Sequence, residues 1–156
     1  MGVSVNGQIC YGVVFGEGYE FPWDASDGGD LDDWWVRESG WRWAGEEPFT
    51  GEGELAEGFS REDPRIAAYF ESRRAWLGGH PAPVVEVNYQ SGDEPAWILA
   101  IPASLVVARC GYPWAIDPRV LLFIEAEAEA ELLAFCERYG LTPEGGPGWY
   151  LSSFWG

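Results

Sequence analysis

The chain contains no lysine: all nine of its cationic side chains are arginine, set against 26 acids in 156 residues. Lysine chemistry is thereby excluded, both Schiff-base formation and the lysine of a phosphate-binding P-loop. Histidine is almost as scarce, with His80 alone in GGHPAP, and the three cysteines, Cys10, Cys110 and Cys136, are far apart with no CxxC pair. A Cys/His metal site of the usual spacing cannot be assembled from this set, and no cofactor is expected. His80 reads as a loop residue before Pro81, and the cysteines as separate reduced thiols of a cytosolic protein. The patterns GxSxG, HExxH, GxGxxG and GxxxxGKS do not occur, so the chain does not read as an enzyme. No uncharged apolar run approaches the roughly 18 residues of a membrane span. The opening MGVSVNGQIC has neither a basic start nor a long apolar stretch, so the expected location is the cytoplasm.

What the chain has in excess is negative charge, a formal −17 at pH 7 with a pI near 4.1. Direct binding to DNA, RNA or an anionic membrane is disfavoured, because those partners reward clustered cations; a basic protein surface is favoured. The acids are concentrated. Between Glu17 and Asp63 lie Glu17, Glu20, Asp24, Asp27, Asp30, Asp32, Asp33, Glu38, Glu46, Glu47, Glu52, Glu54, Glu57, Glu62 and Asp63, against Arg37, Arg42 and Arg61, a net of −12. Like charges held this close repel and oppose compaction, which a cationic partner would relieve. DASDGGDLDD has the oxygen ligands of a calcium loop but not the EF-hand spacing.

Ten tryptophans are the second excess, and Trp23, Trp34, Trp35, Trp41 and Trp43 fall inside the acidic segment. Two readings stay open for these five. They either pack the segment in place of regular structure, or stand partly exposed as anchors, with Trp34 and Trp35 among carboxylates that select an arginine-rich partner by charge-assisted hydrogen bonds and cation–π contacts. Exposed aromatics would also suit a sugar-binding module. Trp76, Trp97 and Trp149 lie on helix or strand patterns and are assigned to the core. The partner-binding set is therefore Glu17, Glu20, Asp24, Asp27, Asp30, Asp32, Asp33, Trp34, Trp35, Glu46, Glu47, Glu52 and Glu54, expected to form a negative face beside the sheet edge.

The pattern of elements predicts an α+β fold in a single domain: a mainly antiparallel sheet with two helices packed on one face, plus a long irregular acidic segment. Residues 3–15 read as a strand pair or one long bent strand, and 84–90 with 96–102 as a hairpin around SGDEP. Residues 104–110 extend or add a strand, LLFI at 121–124 reads as a short buried strand, and the aromatic tail as the last. Asp63-Pro64 is a helix start and Gly78-Gly79 its stop, giving a helix over 64–77 with Ile66, Ala67, Tyr69, Phe70, Trp76 and Leu77 on its apolar stripe and Glu71, Arg73 and Arg74 towards solvent. EAEAEAELLAFCERYG predicts a second, its acidic first turns matching the helix dipole, Gly140 ending it, and Leu132, Leu133, Phe135, Cys136 and Tyr139 facing the core. LDDWWVRE, behind Asp30, is a short helical candidate.

YGVVFGEGYEFPW (11–23), GYPWAIDP (111–118) and GPGWYLSSFWG (146–156) together resemble a family of small acidic proteins encoded by phages and prophages. The resemblance implies an anti-defence role like that of anti-CRISPR inhibitors, some of them DNA mimics, which occupy the positively charged surface of a nucleic-acid-binding complex and block DNA binding or nuclease recruitment. The alternative is an immunity protein or antitoxin neutralising a cationic nuclease toxin. The motifs carry no chemistry of their own, so no catalytic residue follows from them.

Overall fold

The computed structural model describes residues 5–24, 29–50, 54–90, 95–113, 115–122 and 124–155. Its contacts divide the chain into two compact units, Met1–Tyr19 with Pro83–Gly156, and Glu20–Ala82. The fold class is α+β, with an open five-stranded antiparallel sheet and three α-helices among the described residues.

In the first unit, VNGQICYGVVF forms one long strand, β1 (Val5–Phe15), and every other strand is arranged around it. β2 (Val85–Gln90) and β3 (Ala96–Ala100) make the expected hairpin, followed by β4 (Val106–Ala108) and β5 (Gly148–Trp155). One edge of β1 is divided: Gly12 to Phe15 pair with β3, and Gly7 to Ile9 with β4. The other edge pairs with β5 from Val5↔Trp155 to Gly12↔Gly148. Where β3 gives way to β4, a 3₁₀ turn at Pro102–Ser104 fills the gap. The buried Ser104 hydroxyl accepts the Tyr11 N–H at 2.8 Å and bonds the Ile101 carbonyl at 2.7 Å, and the Ile101 N–H donates to the Tyr11 carbonyl at 2.9 Å, so both backbone groups of Tyr11 are paired where β1 changes partner.

The sheet is strongly curled, and two residues show why. A Cβ on Gly12 would collide with the Leu99 carbonyl oxygen and stand 2.8 Å from both Ala100 Cα and Ile98 Cγ2, so only glycine admits β3 this close. Buried Gln8 donates its side-chain amide to Asn88 O of β2 at 2.5 Å and to Ser152 Oγ of β5 at 3.0 Å, joining strands from opposite ends of the sheet. Inside the curl Cys10, Val87, Ile98 and Ala100 form a core flanked by Val14, Val85, Tyr89 and Tyr150, and burial pushes the Cys10 thiol up to about 11. On the opposite face of β1, Val13 and Phe15 are buried, and the Tyr11 hydroxyl donates to Glu129, on the helix Ala126–Arg138, at 2.5 Å. That helix buries Leu132, Phe135 and Cys136 but leaves Leu133 41% exposed, correcting its assignment to the core: one residue on from Leu132 is about 100° further round a helix. Gly140, at φ +66°, ends it as expected.

A second correction falls at 121–124, expected as a strand: Leu121 and Leu122 end a 3₁₀ turn, Pro118–Leu122, Ile124 lies in no strand, and Phe123 is outside the described residues. Pro118 fixes φ and lacks an N–H for a ladder, while Asp117 accepts the Arg119 N–H at 3.0 Å and starts a turn.

The second unit contains α1 (Leu31–Glu38) and α2 (Pro64–Gly79); the helix at Ala126–Arg138 is hereafter α3. Asp30 caps α1 by accepting the Asp33 N–H at 2.6 Å, and Asp63 caps α2 by accepting that of Arg65 at 2.9 Å. α2 clusters with this unit and α3 with the sheet. Only three branched aliphatics, Leu31, Val36 and Leu55, occur between Glu20 and Asp63, so aromatics do the packing. Phe21 stacks on Trp23 at 4.7 Å, and Trp23 meets Trp34 at 5.0 Å. Trp41, Trp43 and Phe49 all meet Tyr69 of α2 edge-on, at 5.2, 5.6 and 5.6 Å. Trp23, Trp34 and Trp41 are buried, whereas Trp76, Trp97 and Trp149, assigned to the core from their patterns, are half-buried. No residue of α2 is fully buried, and Phe70 is 43% exposed.

Candidate functional site

The acidic segment is positioned by one stripe of α2. Arg65, Tyr69, Arg73, Trp76 and, just past the helix end, His80 recur at spacings of four, four, three and four, which places them on one face. Each takes a partner from the acidic segment or from the stripe itself. Arg65 pairs with Asp63 at 2.7 Å and Glu46 at 3.5 Å, and its guanidinium lies 4.0 Å over the Phe59 ring. The Tyr69 hydroxyl bonds Glu47; burial first, and then that bond, push it up to about 12. Arg73 pairs with Asp33 of α1, the Trp76 indole N–H donates to Ser39 Oγ at 3.1 Å, and the His80 ring stacks on Trp76 at 3.8 Å. Arg73 was assigned to solvent on its sequence pattern; its side chain is 19% exposed and paired.

This seam sorts the predicted partner-binding residues. Glu17 is exposed in the turn after β1, in the first unit. Asp27 and Glu52 lie outside the described residues. Glu20 is exposed; Asp24 is exposed too, although its Oδ2 accepts the Phe21 N–H at 2.7 Å. On α1, Asp30 and Asp32 are exposed, Asp33 is half-buried against Arg73, and Trp34 is buried, which makes Trp34 a packing residue of its unit. Trp35 is half-buried, with its indole N–H donated to His80 O at 2.9 Å. Glu46, Glu47 and Glu54 are exposed. Of these carboxylates, Asp33 and Glu46 pair with arginines, and Glu20, Asp32 and Glu54 meet no cation among the described residues. The side-chain bond from Arg65 also holds the Asp63 carboxyl below the usual carboxylate range.

The arginines of α2 thus offset part of the segment's charge. Glu20–Ala82 carries fifteen acids and six arginines, net −9, and the remainder of the chain eleven acids and three arginines, net −8. The residues that sequence reasoning missed are Arg65 and Arg73. Their four-residue spacing through Tyr69 is visible in the sequence, but Tyr69 and Trp76, which share that face, read there only as members of a broad apolar stripe.

Beyond the seam, Phe49, Leu55 and Ile66 line a cleft of about 530 Å³, with Glu54 and Arg61 also on its wall. The antiparallel bridge Phe49↔Leu55 and the bond from Thr50 N–H to Glu54 O at 2.7 Å fix one side of it. Among the described residues no three His, Cys, Asp or Glu side chains converge on a point that could hold a metal ion. None of the described helices is long and apolar enough to cross a membrane. No protein-family model matches the chain, and neither a curated protein nor a solved structure matches it.

Proposed function

We propose that this chain is an inhibitor that binds the basic, nucleic-acid-binding surface of a bacterial defence complex and blocks DNA binding or nuclease recruitment, in the manner of anti-CRISPR proteins. The observation that carries the reading is the charge: −17 overall, without a lysine, and with Glu20, Asp24, Asp30, Asp32, Glu46, Glu47 and Glu54 exposed in one compact unit. Carboxylates held on a folded scaffold compete with phosphates for the same arginines and lysines, and steer association electrostatically. Trp35, half-buried and one helical turn on from Asp32, supplies an aromatic ring on which a guanidinium can stack. Work in the host cytoplasm belongs to the same proposal.

The experiment is affinity capture from bacteria with an active CRISPR system, followed by a DNA-binding assay of the captured complex with and without the chain. Loss of DNA binding supports the reading. A captured complex that binds DNA and recruits its nuclease equally well with the chain present refutes it, and capture of a free nuclease toxin points to the immunity-protein alternative.

A further inference from the structure

The cleft in Glu20–Ala82 has a composition that the acidic-surface reading does not use. Among the described residues its walls are Phe49, Leu55 and Ile66, all half-buried, and its charged groups are Glu54 and Arg61, one of each sign. In a unit where Arg65 and Arg73 both find carboxylates, Arg61 forms no ion pair with a described residue, and Glu54 does not pair with it. Two opposite charges that do not pair with each other, on a cleft whose lining is part polar and part apolar, match a ligand that carries its own opposite charges and an apolar group. The volume of about 530 Å³ lies within the range of small-molecule sites, roughly 300–1,000 Å³.

We propose that this cleft binds a zwitterionic ligand of the α-amino-acid type with an apolar side chain, either a free amino acid or a short peptide with both termini free. Arg61 receives the carboxylate in a two-pronged contact, Glu54 receives the ammonium, and Phe49, Leu55 and Ile66 take the side chain. A cationic segment of a protein partner suits the site less well, because Arg61 would face it with like charge. An anionic or uncharged apolar ligand leaves Glu54 repelled or unused.

The probes are L-leucine, L-phenylalanine and the dipeptide Leu-Leu, with N-acetyl-L-leucine and L-leucinamide as the forms lacking one charge. Binding is read by isothermal titration calorimetry and by NMR shifts of the Phe49, Leu55 and Ile66 resonances. Saturable binding of at least one zwitterion is expected, weakened about tenfold or more when either charge is blocked, as for the loss of one charge-assisted hydrogen bond. Glu54→Gln and Arg61→Gln should each reproduce the corresponding loss, and both should leave the melting temperature of the free protein unchanged because both side chains are exposed. The ratio of Leu-Leu to L-leucine affinity distinguishes peptide from free amino acid. No saturable binding of any zwitterion, equal binding of the blocked forms, or binding indifferent to both substitutions overturns the proposal. None of these outcomes bears on DNA displacement, so the two proposals fail separately.

Discussion

Replacing Trp23 with alanine tests the claim that aromatic packing substitutes for regular structure in the acidic segment. The side chain is fully buried, stacked on Phe21 with a 5° angle between ring planes and tilted against Trp34. Truncating a buried tryptophan costs about 3–5 kcal/mol, and the ring pairs it breaks account for about 0.5–1.5 kcal/mol each beyond their buried area. At about 2–4 °C per kcal/mol for a chain of this size, the melting temperature should fall by roughly 6–20 °C. Trp23→Phe keeps an aromatic plane against Phe21 and should lose less than half as much. Trp35→Ala is the matched control: its ring is half-buried, its indole N–H donates to His80 O, and it meets Trp34 at 6.5 Å, so about 1–2 kcal/mol is expected. Urea denaturation followed by far-ultraviolet circular dichroism gives the stabilities, and the near-ultraviolet spectrum reports the coupled rings directly. A loss for Trp23→Ala no larger than that for Trp35→Ala would refute the reasoning, since burial would then not be setting the cost.

Gly12→Val should destabilise the first unit by more than about 3 kcal/mol, because the added atoms meet the backbone of Leu99 and Ala100 rather than a side chain that can move; thermal unfolding checks it. Asp30→Ala removes the cap of α1 and should cost about 1 kcal/mol by urea denaturation, with Asp30→Ser recovering most of it. At alkaline pH, the bond to Glu129, then burial, raise Tyr11 from 10.0 to about 12, so the folded state keeps a proton that the unfolded state releases. The resulting stability is complete below pH 10 and lost as pH rises towards 12, and Tyr11→Phe should flatten stability-against-pH curves in that window. At the acidic end Asp63 and Asp117 are held low by Arg65 and Arg119, so the stability they contribute is present above the ordinary aspartate range and declines as pH falls through their folded values; Asp63→Asn should remove its part of the decline.

Local signals in the sequence carried the elements well. Asp30 and Asp63 are capping residues followed by helices, Gly140 is a helix stop, and the runs around SGDEP form a hairpin. The expectation for 121–124 did not hold because β-rich composition says nothing about whether a neighbouring edge is open, and the Asp117-Pro118 turn intervenes first. Tryptophan burial was illegible for a related reason. Trp97 and Trp149 lie on good strand patterns, but strand periodicity does not tell which face is covered, whereas Trp23 lies on no pattern and is fully buried, with Phe21 and Trp34 against its ring. At the candidate site, composition identified the excess of carboxylates without identifying which of them are already answered within the fold. Asp33 and Glu46 differ from Asp32 and Glu54 through the placement of Arg73 and Arg65, a tertiary fact.

The central claim is that exposed carboxylates of this chain occupy cations that otherwise bind DNA. The most direct measurement is a mobility-shift titration of the captured DNA-binding complex, with the chain and its Asp30→Asn, Asp32→Asn, Glu54→Gln triple variant added in parallel over a range of salt concentrations. The claim predicts that the chain displaces DNA, that each neutralised exposed charge weakens it by on the order of 1 kcal/mol or less, and that its affinity falls steeply as salt shortens the screening length from about 8 Å. Undiminished DNA binding at saturating protein, or displacement unaffected by both the triple variant and salt, would contradict it.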